Sequence, residues 1–106
     1  MLGKKLYANT MLKLVMPDKV RCAHILVKTL TEAQTIKARI DQGENFSEIA
    51  KQVSLCPSGK KGGDLGTFGR GQMVKPFELA AFQLEKDKVS DPVKTEFGYH
   101  IIKRLG

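Results

Sequence analysis

Cys22 and Cys56 are the only cysteines in 106 residues, too few for a disulfide framework. No Cys-x-x-Cys occurs, and His24 and His100 lie far apart in the chain, so the spacing of a zinc site is missing as well. Both thiols read as free, which suits a reducing compartment. No run of about eighteen apolar residues occurs, so nothing reads as a membrane-spanning helix. Internal repeats and low-complexity tracts are absent too. The opening segment MLGKKLYANTMLKLVM has early lysines and some apolar residues, but Asn9, Thr10 and Lys13 interrupt it and no small-residue cleavage site follows, which argues against a signal peptide. Residues 1–16 read as an N-terminal appendage, with disorder one option for it, and residues 17–106 as the folded domain.

What is present is the material of one soluble domain. With 42% hydrophobic and 27% charged residues the composition is that of an ordinary globular protein, and a chain this long builds a core without staples. Lys4, Lys5 and Lys13 supply three of the net +7, which leaves +4 on residues 17–106. So mild a basic excess speaks for solubility before it speaks for nucleic acid.

Val20 to Lys28 (VRCAHILVK) is short, branched and apolar on both faces, the pattern of a central strand. Alternation sets Val20, Cys22, His24 and Leu26 on one face and Ala23, Ile25 and Val27 on the other. Thr31-x-x-Gln34 has the form of a capping box opening a helix with the stripe Ala33, Ile36 and Ile40, stopped at Gly43. Asn45-x-x-Glu48 opens a second helix with the stripe Phe46, Ile49, Ala50 and Val53. The glycines and Pro57 of Cys56 to Gly63 (CPSGKKGG) predict an irregular loop. Leu65 to Phe68 predicts a short strand, and Pro76 the first turn of a helix running to about Leu84. Val89 to Val93 and Tyr99 to Leu105 predict two final strands, the last with His100 and Ile102 opposite Tyr99, Ile101 and Leu105. The mixture is that of an α+β domain, with helices packed around one mostly antiparallel sheet.

The residues that could carry chemistry are His24, His100, Cys56 and Thr95, with Leu65, Met73 and Phe77 as apolar neighbours. Each alone has an ordinary alternative. A lone strand histidine is commonly a satisfied core residue, a loop cysteine merely a small one, and Met73 and Phe77 at helical spacing merely core.

In context they resemble something specific. The stretches CAHILVK (Cys22 to Lys28), GDLGTFGRGQMVKPF (Gly63 to Phe77) and FGYHII (Phe97 to Ile102) are similar, in content and order, to the signature of the parvulin family of peptidyl-prolyl cis/trans isomerases, over residues 19–106. The resemblance implies an α+β parvulin-like fold, a four-stranded antiparallel sheet surrounded by four helices in the order βα3βαβ2, one of them short and within residues 56–62. It implies paired histidines, His24 and His100, in the floor of an active site, with Cys56 facing them and Thr95 orienting them. It assigns Leu65, Met73 and Phe77 to the pocket for the substrate proline ring, with Phe82 helping to enclose it. No cofactor or metal is implied, since rotation about an amide makes and breaks no bond.

The expected substrates are proline-containing peptides and unfolded or partly folded proteins. The histidines are expected to form a hydrogen-bond network that tunes Cys56, in a noncovalent mechanism. Family members that require a phosphorylated residue before proline carry a long arginine-bearing loop after the first strand. Here too little chain separates Lys28 from Thr31, so no phosphate requirement is expected, and apolar residues before proline are. The rival readings are a basic nucleic-acid or ribosome-associated module, supported by Lys4, Lys5, Lys60, Lys61, Lys103 and Arg104, and a chaperone-like peptide binder with weak turnover. A monomer in the cytoplasm is the expected form.

Overall fold

The computed structural model describes residues 18–106; the proposed appendage of residues 1–16 lies outside them. In chain order the elements are strand β1 (Lys19–Val27), helices α1 (Leu30–Asp41) and α2 (Phe46–Val53), a short 3-10 helix (Pro57–Lys61), strand β2 (Asp64–Gly69), helix α3 (Lys75–Gln83), and strands β3 (Val93–Thr95) and β4 (Gly98–Arg104). The four strands form one antiparallel sheet in the order β2-β1-β4-β3, so β1 is central, as its two apolar faces predict.

The alternation along β1 divides the core in two. Ala23, Ile25 and Val27 pack with Ala33 and Ile36 of α1, Phe46, Ile49 and Ala50 of α2, and Ile101 of β4. Val20 and Cys22 face the other way, onto Phe68, Phe77, Ala81, Phe82 and Ile102. The sheet is therefore a middle layer with α1 and α2 on one side and α3 on the other. Ile25, Ile101 and Ile102 are fully buried, which places the most protected part of the core where β1 and β4 cross-pair.

Three sequence expectations are corrected. The cap of α1 is Thr29, whose Oγ1 accepts from the Glu32 backbone N–H at 3.2 Å, and not Thr31. Thr29-x-x-Glu32 is the better box because it puts a carboxylate at the positive end of the helix, where Thr31-x-x-Gln34 offers only an amide. The glycine-rich loop is not wholly irregular: Pro57, with its φ preset, opens the 3-10 helix, which occupies the place of the short helix implied for residues 56–62. The third strand is Val93–Thr95 and not Val89–Val93. Val89 makes only an isolated bridge to Lys103, and the Ile102 amide is taken by the Ser90 side chain at 3.0 Å. Pro92 then has no N–H to give, so regular pairing resumes only beyond it. The capping box at Asn45 is as expected, its side chain accepting from the Glu48 N–H at 2.9 Å.

Two local features shape the cleft. The β1–β2 register shifts between Arg21 and Ala23, a bulge that leaves Leu65 and Gly66 without ladder partners. Gly66 takes the left-handed conformation there (φ 74°), and its N–H is held by the Asp64 carboxylate at 2.8 Å. Gly63 (φ 85°) donates no side chain because none fits: a Cβ would stand 2.3 Å from the carbonyl oxygen of His24. That approach lets the Gly63 carbonyl accept from the His24 N–H at 2.9 Å, tying the start of β2 to the middle of β1.

Candidate active site

The antiparallel register pairs His24 with Ile102 and Leu26 with His100. His24 and His100 are thus diagonal neighbours on one face of the sheet, within side-chain reach although 76 residues separate them. Their rings stack at a centroid distance of 5.0 Å and meet at Nδ1···Nδ1, 2.8 Å apart. Phe77 of α3 closes over both, edge-on, at 5.5 Å from His24 and 5.3 Å from His100.

The chain of hydrogen bonds continues outward. His100 Nε2 lies 2.7 Å from Thr95 Oγ1, and that hydroxyl also accepts from the Phe97 N–H at 3.1 Å. A single threonine at the end of β3 therefore fixes both the ring and the turn into β4. At the other end, His24 Nε2 is buried without a hydrogen-bond partner among the described residues.

Burial decides the charge of the pair. His24 is 5% and His100 4% exposed. Desolvation, with the neighbouring His100 adding to it, pushes the pKa of His24 down to about 4, and desolvation lowers that of His100 as well. Both rings are neutral near pH 7. An Nδ1–Nδ1 hydrogen bond needs one donor and one acceptor, so the two rings share one proton at this contact and cannot both be cations.

The pair forms the floor of a cavity of about 490 Å³. Leu65 from the bulge and Met73 from the loop before α3 line it together with Phe77 of α3, and both pack against the core cluster that holds Phe77. Leu26, Leu55, Cys56, Pro57, Gln72, Val74 and Phe97 complete the lining, with Leu55 and Phe97 more than half exposed. No aspartate, glutamate, lysine or arginine is among the lining residues.

The structure places His24, His100, Cys56, Leu65, Met73 and Phe77 around one cavity, with Thr95 behind His100. Phe82 is not among the residues lining the cavity. It lies in the core behind it, edge-to-face with Phe68 at 6.2 Å and under the Arg70 guanidinium at 4.3 Å. The network also differs from expectation at Cys56, whose Sγ is partnered by the Ser58 hydroxyl at 3.2 Å, while the histidines connect to Thr95. Cys22, the other free thiol, is wholly buried in the core, and burial pushes its pKa up to about 11. No cluster of three metal-ligating side chains occurs among the described residues.

Leu26, Leu55, Pro57, Gln72, Val74 and Phe97 are the lining residues that the sequence reading missed. Leu26 had a signal, since it alternates onto the His24 face. Leu55 and Phe97 had none beyond adjacency to Cys56 and to the turn before His100, because exposure is not written in a linear pattern.

Comparison with known proteins agrees with this geometry. Residues 23–105 match the family described as Rotamase: PPIC-type PPIASE domain. The chain is 57% identical over 86 residues to the foldase protein PrsA of Geobacillus kaustophilus (strain HTA426), an overlap covering 80% of this chain and 31% of that protein. It thus spans about a third of the length of the curated relatives it matches. By contrast it covers 98% of NmPin, the parvuline of Nitrosopumilus maritimus, whose solution structure superposes with a TM-score of 0.77 at 52% identity over 85% of this chain. Pin from Cenarcheaum symbiosum is likewise similar, with a TM-score of 0.76, 56% identity, and coverage of 86% of this chain and 95% of that one. The match over most of the chain, with a fold and a histidine-floored apolar cleft to go with it, makes this chain a member of the parvulins, the PPIC-type peptidyl-prolyl cis/trans isomerases.

Proposed function

We propose that the protein accelerates rotation about Xaa-Pro bonds in unfolded and partly folded polypeptides, by a noncovalent mechanism that needs neither cofactor nor substrate phosphate. The observation that carries this is the neutral, buried His24–His100 pair in an apolar cavity that Leu65, Met73 and Phe77 help to line. The foldase name of the PrsA relatives supports polypeptides in folding as the substrate class.

The reaction sets the demands. Amide resonance holds the barrier at about 18–20 kcal/mol, and the catalyst must prefer the twisted amide over either planar form. Each 1.4 kcal/mol or so of such preference is worth about tenfold in rate. The twisted amide has lost conjugation and is less polar than the planar one. A cleft without charged walls over a neutral floor favours it, because the planar amide gives up more hydration on entering. Leu65, Met73 and Phe77 grip the proline ring while the carbonyl side turns over the histidines. Neutral imidazoles there act as fixed dipoles, positioned by Thr95 at no cost during the reaction.

Covalent attack by Cys56 has little support. A cysteine nucleophile requires a base within hydrogen-bond reach, and the recorded partner of Cys56 Sγ is the Ser58 hydroxyl, not a histidine. Phosphate recognition has as little. Only Lys28 and Thr29 separate β1 from α1, which leaves no loop for an arginine cluster, and the cleft lining holds no cation.

NMR exchange spectroscopy on short Xaa-Pro peptides tests the reading without a coupling enzyme. Acceleration by the wild type that vanishes in Met73→Ala and falls in His24→Ala supports both activity and site. A folded protein that accelerates no peptide overturns the proposal. Equal turnover of Ser-Pro and its phosphorylated twin supports phosphate independence, and retention of most activity in Cys56→Asp excludes covalent catalysis.

A further inference from the structure

Polar side chains are few in the cleft: His24, Cys56, Gln72 and His100 among its lining residues. Most of their atoms are engaged. The histidines meet through Nδ1, His100 Nε2 contacts Thr95, and Cys56 Sγ is partnered by Ser58. Gln72 is bound through one atom, its Oε1, which accepts from the Gly69 N–H at 2.7 Å. That bond fixes which way round the amide sits, because a backbone N–H only donates and only the amide oxygen accepts. Among the described residues it is the one hydrogen bond the Gln72 side chain makes, so both hydrogens of Nε2 are left without a partner. The loop itself is held, since the Gly71 N–H donates to the buried Glu78 carboxylate.

We infer that Gln72 anchors the substrate by donating from Nε2 to the carbonyl oxygen of the proline residue itself. The inference rests on the isomerase reading and deepens it. Rotation about the bond before proline needs one half of the amide held while the other turns. Leu65, Met73 and Phe77 give the ring contacts without direction, whereas a hydrogen bond weakens steeply when bent and so holds an orientation. The proline carbonyl hangs on the ring side of the rotating bond, and Gln72 directly precedes Met73, so ring contact and donor come from neighbours in both chains. A carbonyl that enters an apolar cleft loses hydration and needs such a donor in exchange. The other unpartnered polar atom here, His24 Nε2, donates in one tautomer of the ring, while the amide nitrogen of Gln72 always does.

The test uses acetyl-Leu-Pro N-methylamide and acetyl-Leu-2-methylpyrrolidide, whose ring carries a methyl group in place of the carbonyl, both followed by NMR exchange spectroscopy. The wild type is expected to turn over the peptide roughly tenfold more efficiently than the analogue. Gln72→Glu keeps an acceptor for Gly69 but has no hydrogen to donate, and Gln72→Met removes both without adding a charge. In each variant the peptide-to-analogue ratio of kcat/KM is expected to fall to within about twofold of unity, through loss on the peptide alone. A wild type that handles the two compounds equally overturns the inference while leaving the isomerase intact. Variants that keep the wild-type ratio, whether fully active or slowed on both compounds alike, overturn it too, and leave Gln72 as a support of the Gly69 turn. A folded wild type that accelerates neither compound overturns the isomerase reading itself, and this inference with it.

Discussion

His24 and His100 meet through their Nδ1 atoms at 2.8 Å in a site where neither ring is more than 5% exposed. The contact makes the pair one titrating unit, and its burial gives the protein a defined response to acid. An unfolded histidine takes up its proton near pH 6.5, whereas folded His24 resists until about pH 4. Protons therefore bind the unfolded chain preferentially as pH falls from about 6.5, and stability that is present above that value is lost on the way down to about 4. Urea unfolding at pH 7.5, 5.5 and 4.5 should show the wild type losing up to about 3 kcal/mol more than a His24→Asn variant. Asp64, whose carboxyl Arg21 holds below its usual range, titrates at lower pH and does not blur this window. Equal losses in the two proteins would mean that the pair is already protonated, or open to water, at neutral pH. Isomerase activity should likewise persist below pH 6, with no inflection near 6.5.

Thr95 serves two acceptors and donors at once, His100 Nε2 and the Phe97 N–H. Thr95→Val keeps the shape and removes both partnerships, leaving a buried imidazole nitrogen unsatisfied at a cost of about 1–3 kcal/mol. Thr95→Ser restores the hydroxyl. Chemical denaturation and exchange-NMR rates should both fall for valine and recover for serine. Recovery of stability without activity would show that Thr95 acts on the fold alone.

Glu78 is 4% exposed, and its carboxylate accepts from the Gly71 N–H seven residues back, in the loop that carries Gln72 and Met73 into the cleft. Its ion pairs to Arg70 and Lys75 are long, 3.9 Å each, to side chains 54% and 76% exposed, so they contribute little. The hydrogen bond and the packing decide. Glu78→Ala should destabilise by about 2–3 kcal/mol and raise KM more than it lowers kcat, while Glu78→Gln, which keeps an acceptor, loses about half as much. High salt should leave the wild type nearly unchanged. Strong salt sensitivity would return the weight to Arg70 and Lys75.

Gly63 and Gly43 both have positive φ, 85° and 100°, but only Gly63 has a neighbour in the way. Alanine at position 43 meets nothing within 4 Å and should cost only the backbone strain, about 1–2 kcal/mol. At position 63 the new Cβ would stand 2.3 Å from the His24 carbonyl oxygen, so β1 and β2 must part. Gly63→Ala should lower the melting temperature several times further than Gly43→Ala, and should disturb activity through His24. Equal shifts would show that the β1–β2 junction is more compliant than its geometry implies.

Much of this protein is legible along the chain because local rules and the fold agree. The two-sided alternation of β1, the Asn45 cap, and the stripes Ala33–Ile36 and Phe46–Ile49–Ala50 are consequences of period and capping, and each segment carries them unaided. Three long motifs in a fixed order, with His24, Cys56, Leu65, Met73, Phe77 and His100 inside or beside them, mark the family and most of the cleft.

Choices between near-equal local options were decided by what surrounds them. Thr29 and Thr31 both head a plausible box, and the choice fell to the one that follows directly on β1 and sets Glu32 at the helix start. Val89 to Val93 has the composition of a strand, but Pro92 and the Ser90 hydroxyl prevent a regular ladder with β4. The resemblance sets Phe82 beside the pocket, but it follows Phe77 by five residues on α3, which turns it to another side, into the core under Arg70. The site itself belongs to the tertiary structure. Linear sequence supplies two histidines 76 residues apart; register makes them a pair, burial makes that pair neutral, and the meeting of distant turns puts Leu55 and Phe97 at the mouth of one cleft. Periodicity reports which face a side chain takes, whereas distance between faces and access to water exist only once the layers have packed.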